Sequence, residues 1–348
     1  MIRDLLPRLL RGERLTREET SAAVRSMVRG ESDPLQIAGF LVALAQRGES
    51  AEELAGGADA LRAEAVPFPS VPGPLLDTCG TGGDGAGTFN ISTAVAFVAA
   101  AAGARVAKHG NRSVSSRCGS ADVLEALGVT IEVGPEGASR ALMETGFCFL
   151  YARRFHPSMR NVAAVRQALG VRTLFNWLGP LANPAGATHQ LLGVPDRGRV
   201  ETMARVLASL GVKRALVVHG AGGLDELSLE AGNEALLVKD GQAPRPIEID
   251  AAALGLTPAP SAALQGGGAS ENAQIIRELL AGARGPRRDA VVLNAAAAIW
   301  VVELAPSLAD AARLAERALD SGAAAATLEC YAARSKEWGE GSRLPRSP

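Results

Sequence analysis

The sequence predicts an α/β protein in two parts: a small N-terminal α-helical domain and a large α/β domain whose mostly parallel central sheet is flanked by helices. Three observations lead there. Residues 1–65 carry only helix-period apolar patterns, and residues 66–74, VPFPSVPGP, make a stiff proline-rich connection. From residue 75 onward short apolar runs alternate with helical stretches, the pattern of a parallel sheet covered on both faces.

In chain order, Leu5, Leu6, Leu9 and Leu10 form one helical stripe. Thr16-x-x-Glu19 and Ser50-x-x-Glu53 read as capping boxes, and Asp33-Pro34 as an N-cap followed by proline at the first helical position. Ile37, Phe40, Leu41 and Leu44 repeat at helical spacing until Gly48. So small a bundle has little core of its own and is expected to pack on something else, a second subunit included.

The stretch from Leu75 to Ser120 organises the rest. Leu75 and Leu76 lead into Asp77 and a loop carrying Gly80, Gly82, Gly83, Gly85 and Gly87. Asn90-Ile91-Ser92-Thr93 opens an Ala-rich helix that stops at Gly103, and a strand at Arg105–Ala107 delivers Lys108-His109-Gly110-Asn111-Arg112. Both loops fall at the C-terminal edge of a parallel sheet, where open α/β sheets bind ligands. Glycines let backbone N–H groups approach an anion, and a helix N-terminus adds unpaired donors and a positive dipole end. With Asn90, Ser92, Thr93, Lys108 and Arg112 they make a phosphate-binding corner with more than one phosphate to satisfy. Gly80-x-Gly82-x-x-Gly85 matches the dinucleotide fingerprint literally, but its context is wrong: no acid lies between Asp84 and Asp122 to take the ribose.

Beyond this stretch, helices are expected over Ser120–Leu127, Glu136–Thr145, Met159–Leu169 and Arg199–Leu210, then over 272–283, 287–304, 308–320 and 322–337. Strands are expected at Val129–Val133, Phe147–Tyr151, Gln190–Val194, Ala215–Val218, Ala235–Val238 and Ile247–Ile249. His219-Gly220-Ala221-Gly222-Gly223-Leu224-Asp225-Glu226 is a second glycine-rich loop, ending in paired carboxylates. Hard oxygens beside a polyphosphate site suit Mg²⁺, which takes one or two carboxylates plus phosphate oxygens. Arg166 on a helix is a natural bidentate partner for a carboxylate, though spacing alone suits a surface residue equally well.

Composition excludes several classes. Net charge is −1 over 348 residues, with no long basic run, so no dedicated nucleic-acid surface is expected. The four cysteines, Cys79, Cys118, Cys148 and Cys330, have neither metal-ligand spacing nor a disulfide framework, which fits a reduced, cytoplasmic setting. No signal peptide or membrane span is expected. The four histidines lack zinc-like spacing, and no G-x-S-x-G elbow is present.

Asp77-Thr78-Cys79-Gly80-Thr81-Gly82-Gly83-Asp84, Asn90-Ile91-Ser92-Thr93 and Lys108-His109-Gly110-Asn111-Arg112 resemble the signature loops of the anthranilate phosphoribosyltransferases. Phe155-His156-Pro157-Ser158-Met159-Arg160 with Arg166, Leu178-Gly179-Pro180-Leu181-x-Asn183-Pro184, and Leu224-Asp225-Glu226 carry the resemblance along nearly the whole chain. It implies transfer of the phosphoribosyl group of 5-phosphoribosyl 1-diphosphate (PRPP) to anthranilate, a step of tryptophan biosynthesis. It also implies a homodimer through the helical domain (1–66, joined in space by a segment near 158–184), with a catalytic domain over 75–338 and a frayed tail at 339–348. The residues it implies for PRPP are Gly80, Gly83, Asp84, Thr88, Asn90, Ile91, Ser92, Thr93, Lys108, Asn111, Arg112, Ser113, Ser115, Ser116 and Ser120. Ser92, Asp225 and Glu226 would hold two Mg²⁺ per subunit; Gly80, Asn111 and Arg166 would hold anthranilate, with His109 close by as a proton acceptor that the reaction does not require. The rival readings are a pyrimidine-nucleoside phosphorylase and a non-catalytic nucleic-acid-binding relative. The first has no need of the Asp225–Glu226 pair, and the second should be basic.

Overall fold

The computed structural model describes residues 1–113 and 117–340. Four helices, α1 (Ile2–Leu10), α2 (Arg17–Val28), α3 (Pro34–Arg47) and α4 (Ala51–Ala63), form the N-terminal bundle. Both capping boxes are present, and the Asp33 carboxylate accepts the Leu35 and Gln36 N–H groups.

Seven strands then build one sheet: β1 (Leu76–Gly80), β2 (Val106–Gly110), β3 (Phe147–Tyr151), β4 (His189–Gly193), β5 (Arg214–His219), β6 (Glu234–Lys239) and β7 (Arg245–Ile247). Their order is β3-β2-β1-β4-β5-β6-β7; the first five pair in parallel, while β6 and β7 add antiparallel at one edge. The chain leaves β1 toward β2 and β3, then returns to β4 on the other flank. β1 and β4 therefore border a topological switch point, the place where open α/β sheets leave a crevice beyond their C-terminal strand ends.

The sheet separates two apolar cores, and its period-2 alternation assigns side chains to each. Leu191, Leu216, Val218 and Leu237 face a core shared with α5 (Ile91–Ala101). Leu192, Val194, Ala215 and Val217 face the other, where they meet the N-terminal bundle. Among the helices between β2 and β5 are α6 (Ser120–Ala126), α7 (Pro135–Thr145), α8 (Ala152–Phe155), α9 (Arg160–Leu169), α10 (Leu174–Leu178) and α11 (Val200–Ser209). Val162 of α9 and Leu174, Phe175, Trp177 and Leu178 of α10 bury into the bundle's core, as do Val200, Met203 and Leu207 of α11. The chain closes with α12 (Ala269–Leu280), α13 (Pro286–Val301), α14 (Leu308–Asp320) and α15 (Ala323–Glu340). α5 and α13 are rich in Ala and buried nearly all round, since small side chains let a helix lie close on the sheet.

The strand expected at Val129–Val133 is not formed. Val129, Ile131 and Val133 are buried at alternate positions, as in a strand, but the Thr130 N–H bonds the Ser335 hydroxyl of α15 at 2.8 Å instead of a neighbouring strand. α12 also begins at Ala269, three residues before the expected 272, with Gly268 as its N-cap. Residues 341–348 of the expected frayed tail lie outside the described residues, and Gly339 and Glu340 belong to α15.

Candidate active site at the sheet switch point

Gly80 and Gly193 are paired at the C-terminal ends of β1 and β4, and the Thr81 N–H donates to the Gly193 carbonyl at 2.9 Å. The loop after β5 folds back over this pair. A Cβ at Gly193 would overlap the main-chain oxygen of Asp225, and one at Gly80 would strike the Asp225 carboxylate. Glycine is thus required at both positions by close approach. Gly193 is a site residue that the sequence reading missed; its only signal was a glycine closing a strand.

Asp225 and Glu226 reach across the switch point to opposite sides of the first loop. The Gly82 N–H donates to Asp225 Oδ2 at 2.9 Å, and the Ser92 N–H, in the first turn of α5, donates to Glu226 Oε1 at 3.1 Å. Desolvation in the cleft raises both carboxylates above their ordinary range, and the neighbouring charge of Asp84 on Asp225, and of Asp225 on Glu226, raises them further. Asp84 Oδ2 is buried with no hydrogen-bond partner among the described residues. Three mutually repelling carboxylates, one with an unpartnered oxygen, are a donor set that fits a hard divalent cation. Among the described residues no three His, Cys, Asp or Glu side chains converge into a metal cage of their own.

Among the described residues Lys108 is the one buried ammonium within this cluster, 1% exposed on β2. Its Nζ donates to the Thr78 carbonyl and, at 3.1 Å, to the Ser92 hydroxyl. Burial lowers its pKa, against the pull of Asp77, Glu226 and Asp225. Beneath it Asp77 is wholly buried, accepting the His109 N–H at 3.2 Å and the Asn183 amide at 2.8 Å. The same Asn183 amide donates to the Ala107 carbonyl at 2.8 Å, so the segment after α10 is tied to β1 and β2.

His109 Nδ1 lies 3.0 Å from the Gly179 carbonyl, which requires an N–H at Nδ1 and leaves Nε2 as a lone pair. That Nε2 is buried without a partner among the described residues. Burial, with the charge of His156 next in weight, pushes His109 down to about 3, so the imidazole is neutral near pH 7.

The helix start at Asn90 is held from the far end of the chain. Asn90 accepts from the Asn272 amide at 2.9 Å and donates to the Cys118 carbonyl at 3.2 Å, so it makes no cap of its own for α5. Thr88 forms an isolated bridge with Gln265, whose amide donates to the Ala86 carbonyl at 2.7 Å. Asn272 and Gln265 carried no motif, and only folding brings them to the loop.

Not every expected residue points into the crevice. The Arg112 guanidinium is engaged by Asp122 at 3.1 Å and by Glu125, and lies 5.9 Å over the Tyr151 ring. Asn111 is exposed, and its main-chain oxygen accepts from the Ser120 hydroxyl at 3.3 Å. The Ser113 N–H donates to Asp122. Ser115 and Ser116 lie outside the described residues. Arg166 stacks on Phe175 at 5.5 Å and makes no ion pair among the described residues; burial lowers its pKa. The arginine that does touch the glycine-rich loop is Arg172, which donates to the Gly82 carbonyl.

This geometry has close counterparts. Residues 72–325 match the α/β domain of a glycosyl transferase family, and residues 3–65 match that family's helical bundle domain. The chain is 53% identical over 329 residues to the anthranilate phosphoribosyltransferase of Roseiflexus castenholzii, covering 94% of this chain and 96% of that one. The chain belongs to the anthranilate phosphoribosyltransferase family. Its fold matches the crystal structure of the Thermus thermophilus enzyme with a TM-score of 0.89 at 48% identity, over 96% of this chain and 99% of that chain. A Saccharomyces cerevisiae anthranilate phosphoribosyltransferase in complex with PRPP and Mg matches with a TM-score of 0.88 at 25% identity, over 97% and 98% of the two chains. The family's fold, a helical bundle joined to an α/β domain, is the architecture described above, and no helix among the described residues is long and apolar enough to cross a membrane.

Proposed function

We propose that this chain transfers the 5-phosphoribosyl group of PRPP to the amino group of anthranilate, giving N-(5-phosphoribosyl)anthranilate and diphosphate. The observation that carries the reading is the 53% identity, over 94% of the chain, to a relative named for this reaction. The same relatives give no support to phosphorolysis or to a nucleic-acid-binding role.

The site chemistry agrees. Displacement at an anomeric carbon builds positive charge on the ribose ring and negative charge on the departing diphosphate. The arylamine is neutral near pH 7, so donors aimed at the leaving group matter more than a strong base. Gly80, Gly83, Asp84, Thr88, the Asn90–Thr93 start of α5 and Lys108 supply that face, with Asn111, Ser113, Ser115, Ser116 and Ser120 as the second loop. Arg112 belongs to the set only if its guanidinium leaves Asp122 and Glu125. Ser92, Asp225 and Glu226 would hold Mg²⁺, two ions per subunit, which when bound neutralises diphosphate charge. Arg166 would pair with the anthranilate carboxylate; a buried guanidinium with no ion-pair partner among the described residues supports that role. His109 Nε2, a weak base but an open acceptor, would receive a hydrogen bond from the amine.

The same reading makes residues 1–66 with the segment near 158–184 a dimerisation domain, and 75–338 the catalytic domain. Leu10 and Leu35, 78% and 83% exposed on α1 and α3, support a second subunit there. A cytoplasmic setting fits the four free cysteines.

The test is the loss of anthranilate fluorescence on adding PRPP and Mg²⁺, with the Asp225→Ala/Glu226→Ala double variant in parallel. Loss in the wild type that vanishes in the variant is expected. Loss that persists in the variant would remove the metal assignment, and no loss in folded wild type would remove the reaction.

A further inference from the structure

Arg172, in the turn between α9 and α10, is not among the residues that the proposed reaction uses, yet it grips the loop on which that reaction depends. Its guanidinium donates to the Gly82 carbonyl, while the Gly82 N–H is held by Asp225 at 2.9 Å. Gly82 is therefore pinned through both backbone groups, from two different parts of the chain. Gly83 has φ +76°, and a Cβ there would strike the Arg172 guanidinium. The loop and Arg172 are in direct contact with no room between them.

The other side of Arg172 leads into the bundle. Its guanidinium lies 5.3 Å over the Trp177 ring, and Trp177 is buried in the core that α10 shares with the bundle. The same indole lies 5.2 Å from Arg199, which pairs with the buried Glu49 carboxylate at 2.8 Å and bonds the Glu49 carbonyl at 2.8 Å. Glu49 sits between α3 and α4. An unbroken run of contacts thus joins the bundle to the glycine-rich loop: Glu49, Arg199, Trp177, Arg172, Gly82. Arg172 makes no ion pair among the described residues, so its directional contacts are the indole and the loop carbonyl. A planar guanidinium can stack and donate at once, which an ammonium cannot do.

We propose that Arg172 is a positioning residue, a strut through which the helical bundle fixes Gly82 and Gly83 in the conformation that binds the diphosphate of PRPP. This rests on the phosphoribosyl-transfer reading above. The strut acts on Gly82 and Gly83, of which Gly83 belongs to the PRPP set, whereas Arg166 of the anthranilate set stacks on Phe175. Because Arg172 is exposed, removing it opens no cavity in the core, so the fold should survive the test.

Two measurements decide it. In Arg172→Met, the KM for PRPP should rise about tenfold or more, the equivalent of one charge-assisted hydrogen bond, with the KM for anthranilate within about twofold of wild type. Arg172→Lys keeps the charge and should recover little of the loss. In the substrate-free protein, amide hydrogen exchange in peptides covering residues 78–92 should quicken in Arg172→Met while exchange elsewhere in the sheet stays unchanged. Unchanged loop exchange would overturn the strut. So would equal rises in both KM values, or full rescue by lysine. If wild type failed to turn over, the reaction would fall, and the exchange measurement would still decide the strut separately.

Discussion

Lys108→Met isolates the role of the one ammonium among the site's carboxylates. Methionine keeps much of the stem's volume and removes the charge. The Nζ group gives up two charge-assisted hydrogen bonds, to the Thr78 carbonyl and to the Ser92 hydroxyl at 3.1 Å, while its 3.5 Å approach to Thr78 Oγ1 is too long to count for much. Each such bond contributes about 1.5–3 kcal/mol net. Against that, the ammonium no longer has to be desolvated, which returns several kcal/mol. These two terms largely offset, and what remains is the effect on Asp77 and the Asp225–Glu226 pair, left without a counter-charge. Lys108 acts on these carboxylates through space and makes no ion pair with them among the described residues, so the cost stays below the roughly 3–5 kcal/mol of a broken buried pair, about 1–3 kcal/mol. Denaturant unfolding without Mg²⁺ or substrate reads it, and Glu226→Gln in the same background should restore part of the loss, since Glu226, raised to about 8, is only partly charged near pH 7. A Lys108→Met protein as stable as wild type would show that Lys108 does not hold these carboxylates, as would a double variant less stable than the single one.

Three further outcomes are expected. Gly193→Ala should destabilise by at least about 2 kcal/mol and blunt activation by Mg²⁺, because its methyl displaces the Asp225 main chain; a fully active, Mg²⁺-responsive variant would contradict the packing at the switch point. Arg166→Ala should raise the KM for anthranilate with little change for PRPP; the reverse split would move the anthranilate site elsewhere. His109 is held down to about 3, against 6.5 for a free imidazole, so the unfolded chain binds more protons between those values. Its contribution to stability is complete above about pH 6.5 and is lost as pH falls toward 3, with a slope of up to about 1.4 kcal/mol per pH unit. His109→Asn should flatten that slope in acid unfolding, and an unchanged slope would show that His109 is not the group being protonated.

Much of the fold was legible because local patterns and global packing agree. The capping boxes at Thr16 and Ser50 and the apolar runs at Phe147–Tyr151 and Ala215–Val218 are local signals that formed where they were read. Val129–Val133 misled because alternation reports which side is buried, not whether a strand lies alongside; here α15 supplies the partner. At the site, residues gathered in short motifs could be read: the glycine-rich loop, Lys108, and the Asp225–Glu226 pair. Gly193, Asn272 and Arg172 could not, because each acts on a residue 90 or more positions away through a contact that only the sheet order creates. Arg112 shows the converse: its place in a motif suggested phosphate, and the acids of α6 hold it instead.

Phosphorus NMR of PRPP, anthranilate, Mg²⁺ and the purified protein, with the organic product identified by mass, follows the proposed transfer of a phosphoribosyl group from diphosphate to the anthranilate nitrogen. One diphosphate should be released for each anthranilate consumed, with a product whose mass is that of anthranilate plus ribose 5-phosphate less one water. Diphosphate released together with free ribose 5-phosphate, with anthranilate unchanged, would contradict it.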